Sequence, residues 1–386
     1  MTKSLFTLVL ALSALIAPAH AEEGVSADTI KIGVFAPLTG SASIFGRAAY
    51  GAEAVYREVN EQGGIHGRKI EVIREDDACD PARAISAVRK MTSQDKVFLI
   101  HGGVCSGTVM AVRDDLERQN VPFVILGAAS AGIVDPFKKN LFQPIPNSDV
   151  VAVQMVDFAM TKPGAKKIAV ISHTDEWGKT NSEVAIKHLK EKYGVDLVAN
   201  VAIERGSADA TPQVLQLRQS KPDAVLAMLY PAETAILVRD AHKYAMKTPI
   251  IGNFGVSLED TRDRVRNMDA MKDFYTFYAY TPALGSPEIE PWTRMITKYF
   301  PDHRADNFSY EGMGGSLAVI EALRRSGPDL TREKFIAAME SIENFETEIL
   351  NSPITFSATD HAGVKGGAMT TYRDGKAVVL RAWDER

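Results

Sequence analysis

The chain has 386 residues, 45% of them hydrophobic and 24% charged, with a formal net charge of −5. This balance excludes the basic surface of a nucleic-acid-binding protein, and no charge block or low-complexity tract marks a disordered tail. The length is too great for one hydrophobic core, so two domains are expected.

Met1–Ala21 carries Lys3, an apolar run from Leu5 to Ala17 and the small-x-small end Ala19-His20-Ala21. That pattern predicts a secretory signal cleaved before Glu22. The apolar run, about thirteen residues, falls short of the roughly 20 that cross a bilayer, and no later segment is long and charge-free enough. The two cysteines, Cys79 and Cys105, then work in an oxidising compartment with no His or Cys at metal-ligand spacing nearby. One disulfide is expected; the alternative is a pair of buried, unlinked thiols.

Beyond the signal, short Val- and Ile-rich runs alternate with amphipathic stretches, which predicts parallel sheets built from βαβ units. Strands are expected at Ile30–Phe35, Lys69–Arg74, Val97–Ile100 and Pro122–Leu126, with helices at Phe45–Glu61, Pro81–Ser93 and Thr108–Gln119 between them. Asp80-Pro81 is a good N-cap and first-turn pair for the second of these helices. After Pro144-Ile145-Pro146-Asn147 the rhythm restarts with helix Asp149–Thr161 and strand Lys167–Ile171. Helices Gly178–Tyr193, Thr211–Gln219 and Ala232–Tyr244 then alternate with strands Asp196–Val201, Ala224–Met228 and Pro249–Gly252. Further helices are expected at Glu288–Tyr299, Tyr310–Arg325 and Thr331–Ser341, and a hairpin at Gly367–Trp383 turning at Arg373-Asp374-Gly375-Lys376. The fold class is therefore α/β, with two open halves in series.

Catalytic signatures are weak. The chain contains no G-x-G-x-x-G, no G-x-x-x-x-G-K-[ST] and no H-E-x-x-H. Ala128-Ala129-Ser130-Ala131-Gly132 approaches a nucleophile elbow but lacks its first glycine, and nothing positions Asp175 or Asp302 and His303 or His361 as partners for Ser130. Asp76-Asp77, beside Cys79 at a strand end, reads as a turn cap rather than an acid–base pair. No metal site and no cofactor are expected.

Strand ends are more informative, because ligands of open α/β sheets bind beyond the carboxyl ends of the strands. Gly102, Gly103, Cys105, Ser106 and Gly107 follow the third strand, and Gly127, Ala128, Ala129 and Ser130 follow the fourth. Small residues there admit a ligand to backbone N–H groups, and a helix starting near Thr108 turns its positive end toward an anion such as a carboxylate. Trp177, Tyr230 and Phe254 supply flat apolar surface at the matching ends of the second half.

Several stretches resemble the periplasmic leucine/isoleucine/valine-binding proteins, the solute receptors of ABC importers. They are Ile32–Gly40, Phe45-Gly46, Gly51-Ala52, Asn60–Gly67 and above all Asp76-Asp77-Ala78-Cys79-Asp80-Pro81. The resemblance implies a two-domain type I periplasmic-binding fold, each domain an open, mostly parallel sheet flanked by helices, with the ligand cleft between them and three hinge crossings. It places 28–147 with 279–352 in one lobe and 148–278 with 353–386 in the other, and it supports the Cys79–Cys105 disulfide. Ser106 and Ser130 match hydroxyl positions for the ligand carboxylate, and Ala128 and Ala129 match backbone-contact positions. Phe45, Trp177, Tyr230 and Phe308 match wall positions. In Ile251-Gly252-Asn253-Phe254-Gly255 an aromatic stands where amino-acid binders carry an acid.

An α-ammonium buried without a counter-charge costs several kcal/mol. Asp175, Glu176 and Glu233 flank the matched positions and are expected to face elsewhere. The resemblance with this departure implies a periplasmic, monomeric, non-enzymatic receptor that closes by hinge rotation on a small carboxylate with an aromatic or bulky apolar tail. Examples are an arylcarboxylate, a phenylpropanoid or an aryl 2-keto acid. It would deliver that ligand to an inner-membrane permease with cytoplasmic ATPases. The alternatives are a branched-chain or aromatic amino acid as ligand, or a ligand-sensing role for a signalling partner.

Overall fold

The computed structural model describes residues 22–161, 165–280 and 285–383; the expected signal segment lies outside these residues. The first half runs β1 (Thr29–Ala36), α1 (Arg47–Glu61), β2 (Lys69–Asp76), α2 (Pro81–Ser93), β3 (Leu99–Gly102), α3 (Ser106–Arg118), β4 (Phe123–Ile125) and β5 (Leu141–Pro146). The second runs α4 (Ser148–Met160), β6 (Ile168–His173), α5 (Glu176–Tyr193), β7 (Ala199–Ile203), α6 (Thr211–Ser220), β8 (Ala224–Met228), α7 (Pro231–Lys243), β9 (Ile250–Gly252), α8 (Leu258–Val265) and β10 (Phe274–Tyr278). The chain closes with α9 (Glu290–Tyr299), α10 (Asn307–Arg325), α11 (Arg332–Glu340), β11 (Ala362–Val364), β12 (Gly367–Arg373) and β13 (Lys376–Trp383).

Local signals account for many of these boundaries. Asp80 caps α2 by accepting from the Arg83 amide at 2.9 Å, with Pro81 at the first helical position. The hairpin turns through Asp374 and Gly375 at φ +50° and +75°, the left-handed pair that a tight two-residue connection requires.

The strands form two sheets, ordered β11-β5-β4-β3-β1-β2 and β13-β12-β10-β9-β8-β6-β7. Every pairing in the first sheet is parallel, whereas the β10–β12–β13 edge of the second is antiparallel. Such buried sheets demand continuous apolar strands, and β3, β4, β6 and β8 are buried along their whole lengths. The chain changes sheet after β5, between β10 and β11, and again between Val364 and Gly367. The last change falls later than the boundary at 352–353 that the resemblance implies, because β11 pairs with β5 and lines the edge of the first sheet.

One helix crossing positions the site. Helix α10 lies on α1 so closely that a Cβ on Gly312 would stand 1.9 Å from the Ala48 carbonyl oxygen, and one on Gly51 1.9 Å from that of Ser309. The Gly312→Ala variant is expected to lose about 1–3 kcal/mol by overpacking, more than the ~1 kcal/mol alanine gains in helix propensity. Urea unfolding checks this; a variant as stable as wild type would mean that the helices do not meet this closely.

Candidate ligand-binding site

Between the two sheets lies a cavity of about 320 Å3, within the range of small-molecule sites. Its walls come from the carboxyl ends of strands in both sheets and from the N-terminal turns of α3, α4, α5 and α10. Seven of the nine expected ligand residues line it: Phe45, Ser106, Ala129, Trp177, Tyr230, Phe254 and Phe308. Ala128 and Ser130 are not among the lining residues. Ala128 is fully buried, and its carbonyl accepts from Gln143 Nε2 at 2.8 Å. The Ser130 amide donates to Ser106 Oγ at 3.3 Å, so Ser130 orients the hydroxyl that does face the cavity.

Ser106 is the first residue of α3, and no side chain caps that helix. The Thr108 amide bonds the Cys105 carbonyl at 3.0 Å, so what this end of the cavity offers is the amides of Ser106 and Gly107 and the positive end of a helix dipole. The Cys79–Cys105 disulfide forms, with Cα atoms 5.6 Å apart, and both cysteines belong to the same wall. Its approach is held by Asp76 and Asp77, which serve as turn caps. Asp76 Oδ1 accepts from the amides of Leu38 and Ala78, each at 2.9 Å, and Asp77 Oδ1 accepts from that of Cys79. Burial opposes ionisation of Asp76, yet the hydrogen bonds from Thr39 and from the amides of Ala78, Leu38 and Thr39 outweigh it and hold the carboxyl at about 2.

The aromatic wall is ordered by stacking. Trp177 and Tyr230 lie 4.9 Å apart at 21°, and Tyr230 also stacks on the His173 ring at 4.8 Å. His173 Nδ1 faces the Ile203 carbonyl, Nε2 meets the Tyr230 amide at 3.1 Å, and Glu233 Oε2 lies 3.5 Å from the same nitrogen. Burial pushes the Tyr230 hydroxyl up to about 12, so it stays protonated. Across the cavity Phe45 and Phe308 meet edge to face at 5.0 Å. Phe254, 6% exposed, is braced edge-on against Phe277 at 5.9 Å.

The flanking acids behave differently from one another. Asp175 caps α5 through the Gly178 amide, and Glu233, buried beneath Tyr230, accepts from the Gly206 amide at 2.7 Å. Neither lines the cavity. Two charged residues that the sequence reading missed do: Arg205, its guanidinium 4.7 Å from the Tyr230 ring centre, and Glu311 on α10. Glu311 lies three residues beyond Phe308, the helical spacing that puts two side chains on one face, and that spacing was the available signal.

Among the described residues, the candidate partners do not assemble around Ser130 as a nucleophile with its base. His303 stacks on Tyr50 at 3.7 Å, and His361 Nδ1 faces the carbonyls of Lys138 and Leu141, so both rings are engaged away from Ser130. No group of three metal-ligating side chains occurs among the described residues. Nor is any described helix long and apolar enough to cross a membrane.

A sequence profile described as periplasmic binding protein matches residues 29–377. Leu/Ile/Val-binding protein homolog 7 of Brucella abortus (strain 2308) is 28% identical over 340 residues, covering 84% of this chain and 83% of that protein. A branched chain amino acid ABC transporter from Thermus thermophilus, solved with bound valine, aligns with a TM-score of 0.82 at 19% identity, over 93% of this chain and 97% of that one. A solute binding protein from R. palustris, solved in complex with 4-hydroxybenzoate, aligns with a TM-score of 0.79 at 20% identity, over 93% and 98%. At such identities the two structures speak for the fold alone. The profile spans most of the chain and both sheets, and the chain therefore belongs to the periplasmic binding protein family.

Proposed function

We propose that this protein is the periplasmic solute receptor of an ABC importer, that it is monomeric and not an enzyme, and that its ligand is a small carboxylate with an aromatic or bulky apolar tail. It closes on that ligand by rotation about the three sheet crossings and presents it to an inner-membrane permease driven by cytoplasmic ATPases. The observation that carries the reading is one cavity with two kinds of wall: Ser106 at the uncapped start of α3 on one side, and the Trp177–Tyr230 stack with Phe254 on the other. Arg205 adds a cation at the rim for steering an anion inward. The finding of 4-hydroxybenzoate in one structural neighbour and valine in another fits a fold that takes both ligand classes.

A thermal-shift screen over aryl, phenylpropanoid and 2-keto acids tests the reading, since a ligand that binds only the folded state raises Tm with its free concentration. The Ser106→Ala variant should weaken the best hit by about 1.5–3 kcal/mol, the loss of a hydrogen bond to a charged group. Unchanged affinity would move the carboxylate away from α3. The amino-acid reading keeps one observation in its favour, the presence of Glu311 in the cavity.

A further inference from the structure

The reading above leaves Glu311 without a task. It is 5% exposed, it lines the cavity, and its Oε1 lies 3.0 Å from where a Cβ on Gly127 would stand. The carboxyl is thus pressed against backbone at the end of β4, at a position that glycine keeps open. Among the described residues it has no hydrogen-bond or ion-pair partner. The groups that face it electrostatically are Asp306, the N-cap of its own helix, and Tyr280, whose buried hydroxyl also lacks a partner among the described residues. Arg205, the cation among the lining residues, projects from the loop after β7 in the other sheet. Burial first, and then Asp306, hold the Glu311 carboxyl well above the usual range.

Buried polar groups are satisfied in nearly all native structures, and one that faces a cavity without a protein partner is matched by what fills that cavity. We infer that Glu311 is a specificity-determining residue: the ligand carries, beside its carboxylate, a hydrogen-bond donor that Glu311 accepts, either a hydroxyl or an ammonium. The inference rests on the cavity being the ligand site. The two donors differ in their proton balance. A hydroxyl hydrogen-bonds to the carbonyl oxygen of the uncharged acid and moves no proton between protein and solvent. An ammonium is stabilised by the carboxylate, so its binding ionises Glu311 and releases one proton. Ionisation opposes burial, which favours the hydroxyl.

Calorimetry of paired acids tests this: 4-hydroxybenzoate against benzoate, p-coumarate against cinnamate, and phenylalanine against 3-phenylpropanoate. Each pair is run on wild type, Glu311→Gln and Glu311→Met, in two buffers of different ionisation enthalpy. The expected result is at least tenfold tighter binding of the hydroxylated acid by wild type, without proton release. That advantage should shrink in Glu311→Gln, which keeps an acceptor oxygen, and vanish in Glu311→Met. If phenylalanine instead wins its pair and releases a proton that Glu311→Gln abolishes, the role of Glu311 stands and the ammonium-free ligand class falls. Equal binding within every pair, or an advantage that survives Glu311→Met, overturns the inference while leaving the carboxylate reading intact. If no acid of any pair binds, the carboxylate reading falls and the inference with it.

Discussion

Reduction of the Cys79–Cys105 disulfide is expected to destabilise the protein by about 3.5 kcal/mol, the chain-entropy value for a loop closed across 26 residues. The bridge ties the turn after β2 to the N-cap of α3, and that turn is conformationally demanding: Ala78 and Cys79 both sit in the left-handed region, at φ +44° and +61°. Asp76 and Asp77 hold it by accepting from backbone amides, which compensates part of the strain. Tm should fall by roughly 5–10 °C on reduction. Because Ser106 directly follows Cys105 at the cavity wall, ligand affinity should fall as well. Thermal unfolding with and without reductant, with thiol labelling to show that the bond has opened, measures the effect. An unchanged Tm with both thiols labelled would show that Asp76, Asp77 and the α3 packing hold the turn unaided.

The second large effect is on ligand choice. If Phe254 removes an ammonium site, a 2-keto acid should bind at least tenfold tighter than the 2-amino acid of the same skeleton, since an unpaired buried charge costs more than about 1.4 kcal/mol. The structure sharpens the reason: the Gly178 amide engages Asp175, the Gly206 amide and His173 engage Glu233, neither acid lines the cavity, and burial raises the Glu311 carboxyl well above its usual range. Phe254→Glu should weaken the keto acid by a similar factor. It adds like charge and removes a ring that is braced on Phe277 for stacking. Calorimetry of phenylpyruvate against phenylalanine, and of the keto acid of leucine against leucine, decides the matter. Tight amino-acid binding with no response to the keto acids would overturn it and install the amino-acid ligand.

What could be read from the chain was local or periodic. The βαβ alternation, the Asp80-Pro81 start of α2 and the Asp374-Gly375 hairpin each depend on a few neighbouring residues, and each appears in the structure. Small residues and aromatics at strand ends, with the family resemblance, pointed to seven residues that share one cavity. Elements made by distant pairing were not legible. Leu141–Pro146 looks broken by Pro144 and Pro146, yet it forms β5, because both prolines follow Phe142, the last residue that pairs with β4, where no ladder donor is needed. The strands β10 and β11 span five and three residues and exist through partners far along the chain.

Glu311 and Arg205 belong to the same class. A glutamate in a long helix and an arginine in a loop are ordinary in sequence, and composition marks neither as special. Gly51 and Gly312 set how closely α10 lies on α1, and that packing turns the Phe308 and Glu311 face toward the cavity. The sequence by itself determined the helices and strands that caps and periodicity specify, because those signals act over a few residues. Tertiary structure alone decided which charged side chains the cavity wall would bury, because that depends on backbone contacts between segments some 260 residues apart, such as Gly51 and Ser309.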